Sequence, residues 1–572
     1  MRNYFQLSTS IDGPRAGNDY YQLRDTFSTI RGRHSLRFGF EGSLDKTYQL
    51  TNLNNYGTFD FRPDNTKNEL GDFLLGLPRT MNQDAPVYKT DSGWFTGFFI
   101  QDEFRVHPRL LLTLGLRHEI QFPLTDPLNR KNTFRPGVQS TVVPTAPLGM
   151  LFPLDAELNR SIIPVDYNNF APRIGIVLDP FGDGKTAIRA GAGVYYGSMG
   201  GNMANGTADR PPFTIRQQFR NIKSLTDPYG NMPGGVSPFP YYFTPDNPRF
   251  PLPVAMKAQS PAFVWPYTYQ FNLSLQRELI SDLSLTAAYV GSMSRQMPMN
   301  LDLNYPVYGP GASTSNIDAR RPYSDFQDID MLMSGANSHY HGLELGAVKR
   351  MSRNFSFNGH YVFGKGIDQY DMTEGTRGVP QSSLYPKNDR GRMDIDRTHR
   401  FVLSAIWEID YLRGANPVLR TILNGWTISG ITSLLSGEPL TIGAGDDINM
   451  DNDDGDRANL IGNPKLDPNR PRSEVLAAWF NTSAFEVPED GTEGTAGRNI
   501  LDGPGLKTVN LGLFRSFTIH EGMKLQFRAE ATNAFNIVNL SGPETSIDSD
   551  RFGEINSARN MREVQLGLRL TF

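Results

Sequence analysis

The sequence contains no cysteine. That excludes disulfides, thiolate metal sites and a cysteine nucleophile, and leaves the compartment open. No stretch approaches the roughly 18 apolar residues that a membrane-crossing helix needs, and the mean hydropathy is -0.42. A helical membrane protein is therefore excluded. Neither sign of charge dominates: Lys+Arg number 56, Asp+Glu 60, and the formal net charge is -4. This argues against a nucleic-acid partner, whose footprint is a basic excess. The first residues, Met1-Arg2-Asn3-Tyr4-Phe5-Gln6-Leu7-Ser8, lack an apolar segment and a small-residue cleavage site. Read alone they predict a chain that is not exported, which conflicts with the rest of the sequence. What the chain does have is turn residues, with Gly 55 and Pro 40 among 572, short of low complexity. Its 11% aromatic content is too high for a disordered chain.

Apolar residues recur with period two, the mark of a strand with one apolar face. In 109–119, Leu110, Leu112, Leu114 and Leu116 oppose Thr113, Gly115, Arg117 and Glu119. Tyr269, Phe271, Leu273 and Leu275 oppose Gln270, Asn272, Ser274 and Gln276. Met523, Leu525, Phe527 and Ala529 oppose Lys524, Gln526, Arg528 and Glu530. No long segment has a convincing helical period, so the chain reads as almost all β. The alternating runs extend over roughly 9–13 residues, whereas soluble strands average about 5–6 and a tilted strand crossing a bilayer needs about 9–11.

The runs come in pairs: 94–105 with 109–121, 169–179 with 185–196, 266–277 with 281–292, 338–350 with 354–364, 398–410 with 423–435, and 506–516 with 522–534. Linkers within pairs are mostly short. Those between pairs are long: 122–168, 197–265, 293–337, 365–397, 436–505 and 535–560. An outer-membrane barrel has this asymmetry, with short periplasmic turns and long external loops. The expectation is one antiparallel transmembrane β-barrel domain over 1–572. Residues 1–93 hold its first strands (3–11, 20–30, 33–45) and a loop, and 94–572 form the main barrel, about 16 strands in all. Polar faces rich in Arg, Glu, Gln and Gly suit a wet lumen, and Leu, Phe, Tyr and Val suit lipid. Trp94-Phe95, Phe98-Phe99, Tyr195-Tyr196 and Trp265 with Tyr267 are candidates for an aromatic girdle; ordinary strand packing explains them equally well.

Several motifs dissolve on inspection. Gly182-Asp183-Gly184-Lys185-Thr186 resembles a phosphate-binding loop, but the required upstream glycine is Asp179 and an alternating strand follows, so a hairpin turn is expected. Gly191-Ala192-Gly193 lacks the third glycine of a dinucleotide fingerprint. His339 and His341 share a strand face without a third metal ligand nearby. There is no G-x-S-x-G and no compact Ser, His and Asp grouping, so no catalytic residue is assigned and an enzyme is not expected.

Two regions qualify as candidate sites. The acidic run 446–456 alternates carboxylates and amides, which suits a hard cation such as Ca²⁺ held by Asp447, Asn449, Asp451 and Asp453. It departs from the EF-hand template, with Asn452 at the sixth position and Ala458 at the twelfth. A solvated external loop is the plainer reading. The segment 197–265 is dense in aromatics, and Tyr241, Tyr242 and Phe243 are candidate ligand contacts because loop aromatics often form binding surfaces. Packing over the barrel mouth is the competing explanation.

Several segments resemble the barrel of TonB-dependent outer-membrane receptors, of the Oar-like branch. They are WFTGFFIQDEFRVHPRLLLTLGLRHE (94–119), NFAPRIGIVLDPFGDGKTAIRAGAGVYYG (169–197), PYTYQFNLSLQREL (266–279), DRTHRFVLSAIWEID (396–410), LNGWTISGITSLLSGEPLTI (423–442) and FRAEATNAFNIVNL (527–540). The terminal alternation of Val564, Leu566, Leu568, Leu570 and Phe572 resembles the signal read by the barrel assembly machinery. The resemblance runs from about Gly32 to Phe572. It implies a 22-stranded barrel in outer-membrane lipid, closed by an N-terminal plug and energised through the TonB complex. It also implies uptake of a siderophore, saccharide or peptide. No plug and no TonB-contacting segment is recognisable. The expectation is thus the barrel portion of a receptor whose start lies upstream, with TonB as partner only if a plug exists there. The alternatives are an Oar-like surface protein for adhesion or secretion, and a passive channel closed by pairing 3–11 with 561–572.

Overall fold

The structure is a computed structural model that describes residues 15–51, 57–198, 203, 206–220, 222, 224–230, 237, 239–369, 380–411, 414, 416–452 and 455–572. Among the described residues fifteen long strands follow one another as an antiparallel meander. They are β1 (Arg15–Arg31), β2 (His34–Thr51), β3 (Val87–His107), β4 (Leu110–Gln121), β5 (Asp166–Leu178), β6 (Thr186–Tyr196), β7 (Tyr267–Ile280), β8 (Leu283–Asp302), β9 (Phe326–Ser352), β10 (Phe355–Asp368), β11 (His399–Ile409), β12 (Trp426–Leu435), β13 (Leu506–His520), β14 (Met523–Thr532) and β15 (Glu563–Thr571). Each pairs with the next in the chain. Among the described residues no ladder joins β1 to β15. The expected strand 3–11 lies outside the described residues. Among the described residues no helix is long and apolar enough to cross a membrane.

Connections alternate in length. The short ones are 32–33, 108–109, 179–185, 281–282, 353–354, 410–425 and 521–522. The long ones are 52–86, 122–165, 197–266, 303–325, 369–398, 436–505 and 533–562. In the 179–185 turn, Asp179 accepts from the Gly182 and Gly184 amides at 2.8 and 3.0 Å. Both glycines have positive φ, which a side chain would strain. This is a hairpin, as its sequence predicts, and no phosphate cradle.

Two expectations need correction. The strands span 9 to 27 residues rather than 9–13, because several continue past the membrane-crossing stretch. The loop expected over 293–337 shrinks to 303–325, since β8 and β9 stay paired out to Asp302 and Asp330. Beyond the bilayer nothing enforces the two-faced alternation, so the sequence pattern ends before the strand does.

The side-chain layers are inverted relative to a soluble protein. Leu114, Leu116, Leu273, Leu275, Leu566 and Leu568 stand exposed on the outer face, as lipid-facing residues do. On the opposite face polar groups interact with one another. Glu41, Gly97 and Glu119 lie in one row across β2, β3 and β4. Arg117 reaches across that row to Glu41 at 2.9 Å and Glu119 at 2.5 Å. A side chain at position 97 would start 2.7 Å from the Arg117 guanidinium, so glycine leaves the room for this bridge.

The buried apolar cores belong to the long connections. One joins Phe134, Met150, Phe152, Phe213, Met256 and Phe326. There Val254–Gln259 adds a parallel strand to the outer end of β9. Another joins Ile442, Phe480, Phe485 and Leu501.

Candidate functional site

The described parts of the long connections fold into a packed layer at one end of the sheet. Buried ion pairs tie it together. Lys131 meets Asp91 at 3.0 Å with both side chains almost fully buried. Arg457 meets Asp389 at 2.6 Å, Arg321 meets Asp302 at 2.6 Å, and Arg498 meets both Asp368 and Asp394. Charges removed from water cost several kcal/mol unless paired, so these pairs fix one arrangement of the loops.

Within this layer lies a cavity of about 440 Å³ between 303–325, 380–398 and 436–505. Tyr305, Tyr308, Tyr385, Pro306, Asn449 and Glu493 are among its lining. Burial and the neighbouring Asp451 carboxylate push the Tyr305 phenol up from its ordinary value, so it remains protonated. Asn449 Nδ2 stands 3.2 Å from the Tyr305 hydroxyl. Tyr308 lies against Gly491, where a Cβ would overlap its ring. Among the described residues no Lys or Arg is in the lining. Aromatic faces beside a carboxylate can hold sugars or cationic groups and disfavour anions. No local pattern in the sequence announces this cavity, because its walls come from three separate connections.

The residues singled out from sequence are placed as follows. Asp447 Oδ1 and Oδ2 accept the Asp451 and Asn452 amides at 2.8 and 2.9 Å. Asn449 donates to the Gln381 carbonyl and to Asp451. Asp447 and Asn449 are buried, which departs from a solvated loop. Asp453 lies outside the described residues. Among the described residues no group of three or more His, Asp or Glu is arranged to hold a metal ion. Tyr241, Tyr242 and Phe243 divide. Tyr241 is buried and donates to the Pro212 carbonyl. Phe243 packs edge-on against Phe213. Only Tyr242, 79% exposed, presents its ring.

The girdle candidates divide too. Trp94 and Phe98 are exposed on the outer face. Phe95 shares the inner face with Arg117, which lies over its ring. Tyr195 carries Arg173 4.4 Å above its ring, and Trp265 is buried beside Phe263 in a loop core. Val564, Leu566, Leu568 and Leu570 all face outward on β15, and Phe572 is exposed after it.

A meander of long strands, apolar outside and polar inside, with alternating short and long connections, defines an integral outer-membrane β-barrel protein. The chain belongs to the family described as "Outer membrane beta barrel domain", which matches residues 3–565. No curated protein matches the sequence. Solved structures similar to it include the outer membrane transporter YddB from Escherichia coli, 9% identical, with 97% of this chain and 54% of that chain covered and a TM-score of 0.49. The pyoverdine receptor FpvA from Pseudomonas aeruginosa is 10% identical, with 98% and 48% covered and a TM-score of 0.46. The ferric yersiniabactin uptake receptor FyuA from Yersinia pestis is 10% identical, with 98% and 54% covered and a TM-score of 0.44. The chain spans about half the length of these proteins.

Proposed function

We propose that the chain is the barrel wall and outer vestibule of a TonB-dependent receptor of the Oar-like branch, taking a substrate across the outer membrane. The loop layer captures the substrate and the polar inner face conducts it inward. The observation that carries this reading is the packed, ion-paired loop layer holding an aromatic cavity, since a passive channel has no use for a built capture surface. Energy coupling would require contact with the TonB complex, and insertion would use the barrel assembly machinery. A saccharide or a peptide with a cationic group fits the tyrosine and carboxylate lining better than an anionic siderophore does.

The test is uptake of labelled oligosaccharide and peptide pools by cells with and without the gene, repeated with a protonophore. Uptake that needs both the gene and the proton gradient supports the proposal. Binding to the surface that needs the gene but never leads to uptake would place the protein among adhesins. Uptake indifferent to the protonophore would make it a channel.

A further inference from the structure

The connection between β11 and β12 stands apart from the other short ones. It lies at the same end as the 521–522 turn and Phe572, the periplasmic end by the rule for such barrels. It carries a helix, Pro417–Leu423. Asn416 caps it by accepting the Val418 amide at 2.8 Å, and Pro417 occupies its first position. Gly425, at a φ of 79°, ends the excursion, and its amide returns to the Ile409 carbonyl at 2.8 Å.

The helix is amphipathic. At about 100° per residue, Val418, Leu419, Ile422 and Leu423 fall within one arc, with Arg420 outside it and turned away from Ile422. These four apolar side chains are 63%, 51%, 56% and 47% exposed. The helix is tied to the outer face of the wall. Trp426 Nε1 donates to the Ile422 carbonyl at 2.9 Å and Arg515 Nη1 donates to the same oxygen at 2.6 Å. Trp426, Arg515 and Ile409 share one register row with their neighbours. In that row and the next outward positions stand Trp407, whose indole donates to the Tyr411 hydroxyl at 2.9 Å, and Phe517, which stacks under Arg515.

We propose that Pro417–Leu423 is an interfacial anchor, buried by its apolar face in the periplasmic leaflet and in contact with phospholipid. The occupant follows from continuity. The helix extends the lipid-facing wall at the level of a Trp, Tyr and Arg cluster, the composition of a membrane interface. Its tethers lead to the outer face and not to the lumen. A helix this short has little membrane affinity of its own, but the barrel holds it in place, so its exposed apolar face meets lipid rather than water.

The absence of cysteine makes the test direct. The protein as cells produce it, purified from outer membranes, carries one nitroxide label in each of the variants L419C, I422C and R420C. It is reconstituted into vesicles of phosphatidylethanolamine and phosphatidylglycerol, with folding confirmed by heat-dependent gel migration. V418C reports the same face should either apolar variant fail to fold. Labels at 419 and 422 are expected to favour oxygen over a water-soluble nickel chelate several-fold more than the label at 420. Equal nickel access at all three positions would overturn the anchor. Shielding of 419 and 422 from both reagents would also overturn it, since protein would then cover the face.

Discussion

Asp155 shows how one side chain holds a loop. Burial alone would raise its carboxyl, but the Ser140 hydroxyl and the Phe152, Val142 and Thr141 amides donate to it and hold it below the usual carboxylate range. A lowered folded value means that its contribution is present at neutral pH and is lost as pH falls through that value. Acidification is therefore expected to loosen 138–155 before the strands, and hydrogen exchange followed against pH is the measurement that checks it. D155A should loosen the same segment at neutral pH, because these donors and the Thr141 hydroxyl, five in all, lose their acceptor at about 1–3 kcal/mol for each left buried. The Lys131 and Asp91 pair behaves differently. K131M leaves a buried carboxylate alone, at about 3–5 kcal/mol, and is expected to open 122–165 to protease. The K131M/D91L pair should restore resistance, because no charge remains unmatched. Protease sensitivity of the double variant equal to that of K131M would mean that the charges do more than neutralise each other.

At the level of elements, β15 makes the clearest prediction. Its outward row of Val564, Leu566, Leu568 and Leu570 ends at Phe572, the pattern proposed above as the assembly signal. Replacing Phe572 by Ser removes little packing, since that ring is 93% exposed, yet the amount of folded protein in the outer membrane is expected to fall several-fold. Unchanged levels would remove the signal role. The paired strands were legible in the sequence because lipid and lumen each dictate one face, so apolar residues such as Leu273 alternate with polar ones such as Asn272 along mid-strand. The outer ends of β8 and β9 were not legible, because there both faces meet protein. Phe326 and Met256 illustrate the same limit: they pack in one core across a gap of about seventy residues that no local periodicity records. The cavity stayed hidden for that reason, as did the burial of Tyr241, which reads in sequence like its exposed neighbour Tyr242.

For the molecule as a whole, the two faces of the sheet face two solvents, and neighbouring positions on one strand should respond in opposite ways. Leu273 and Asn272 lie mid-strand on β7, with Leu273 exposed on the outer face and Asn272 beside Gly191 on the inner one. Lysine at 273 must place its ammonium in hydrocarbon or bend it toward a headgroup, at about 2–4 kcal/mol near the bilayer midplane. Lysine at 272 extends into the polar interior, where Arg189 already reaches Gln276 at 2.8 Å. L273K is expected to lose folded protein in a urea refolding titration into vesicles, while N272K stays near the wild-type midpoint. The pair controls for local strand propensity, since the same residue is added to the same strand one position apart. Equal losses in both would mean that protein or water covers both faces, and the membrane-spanning reading of this sheet would fail with them.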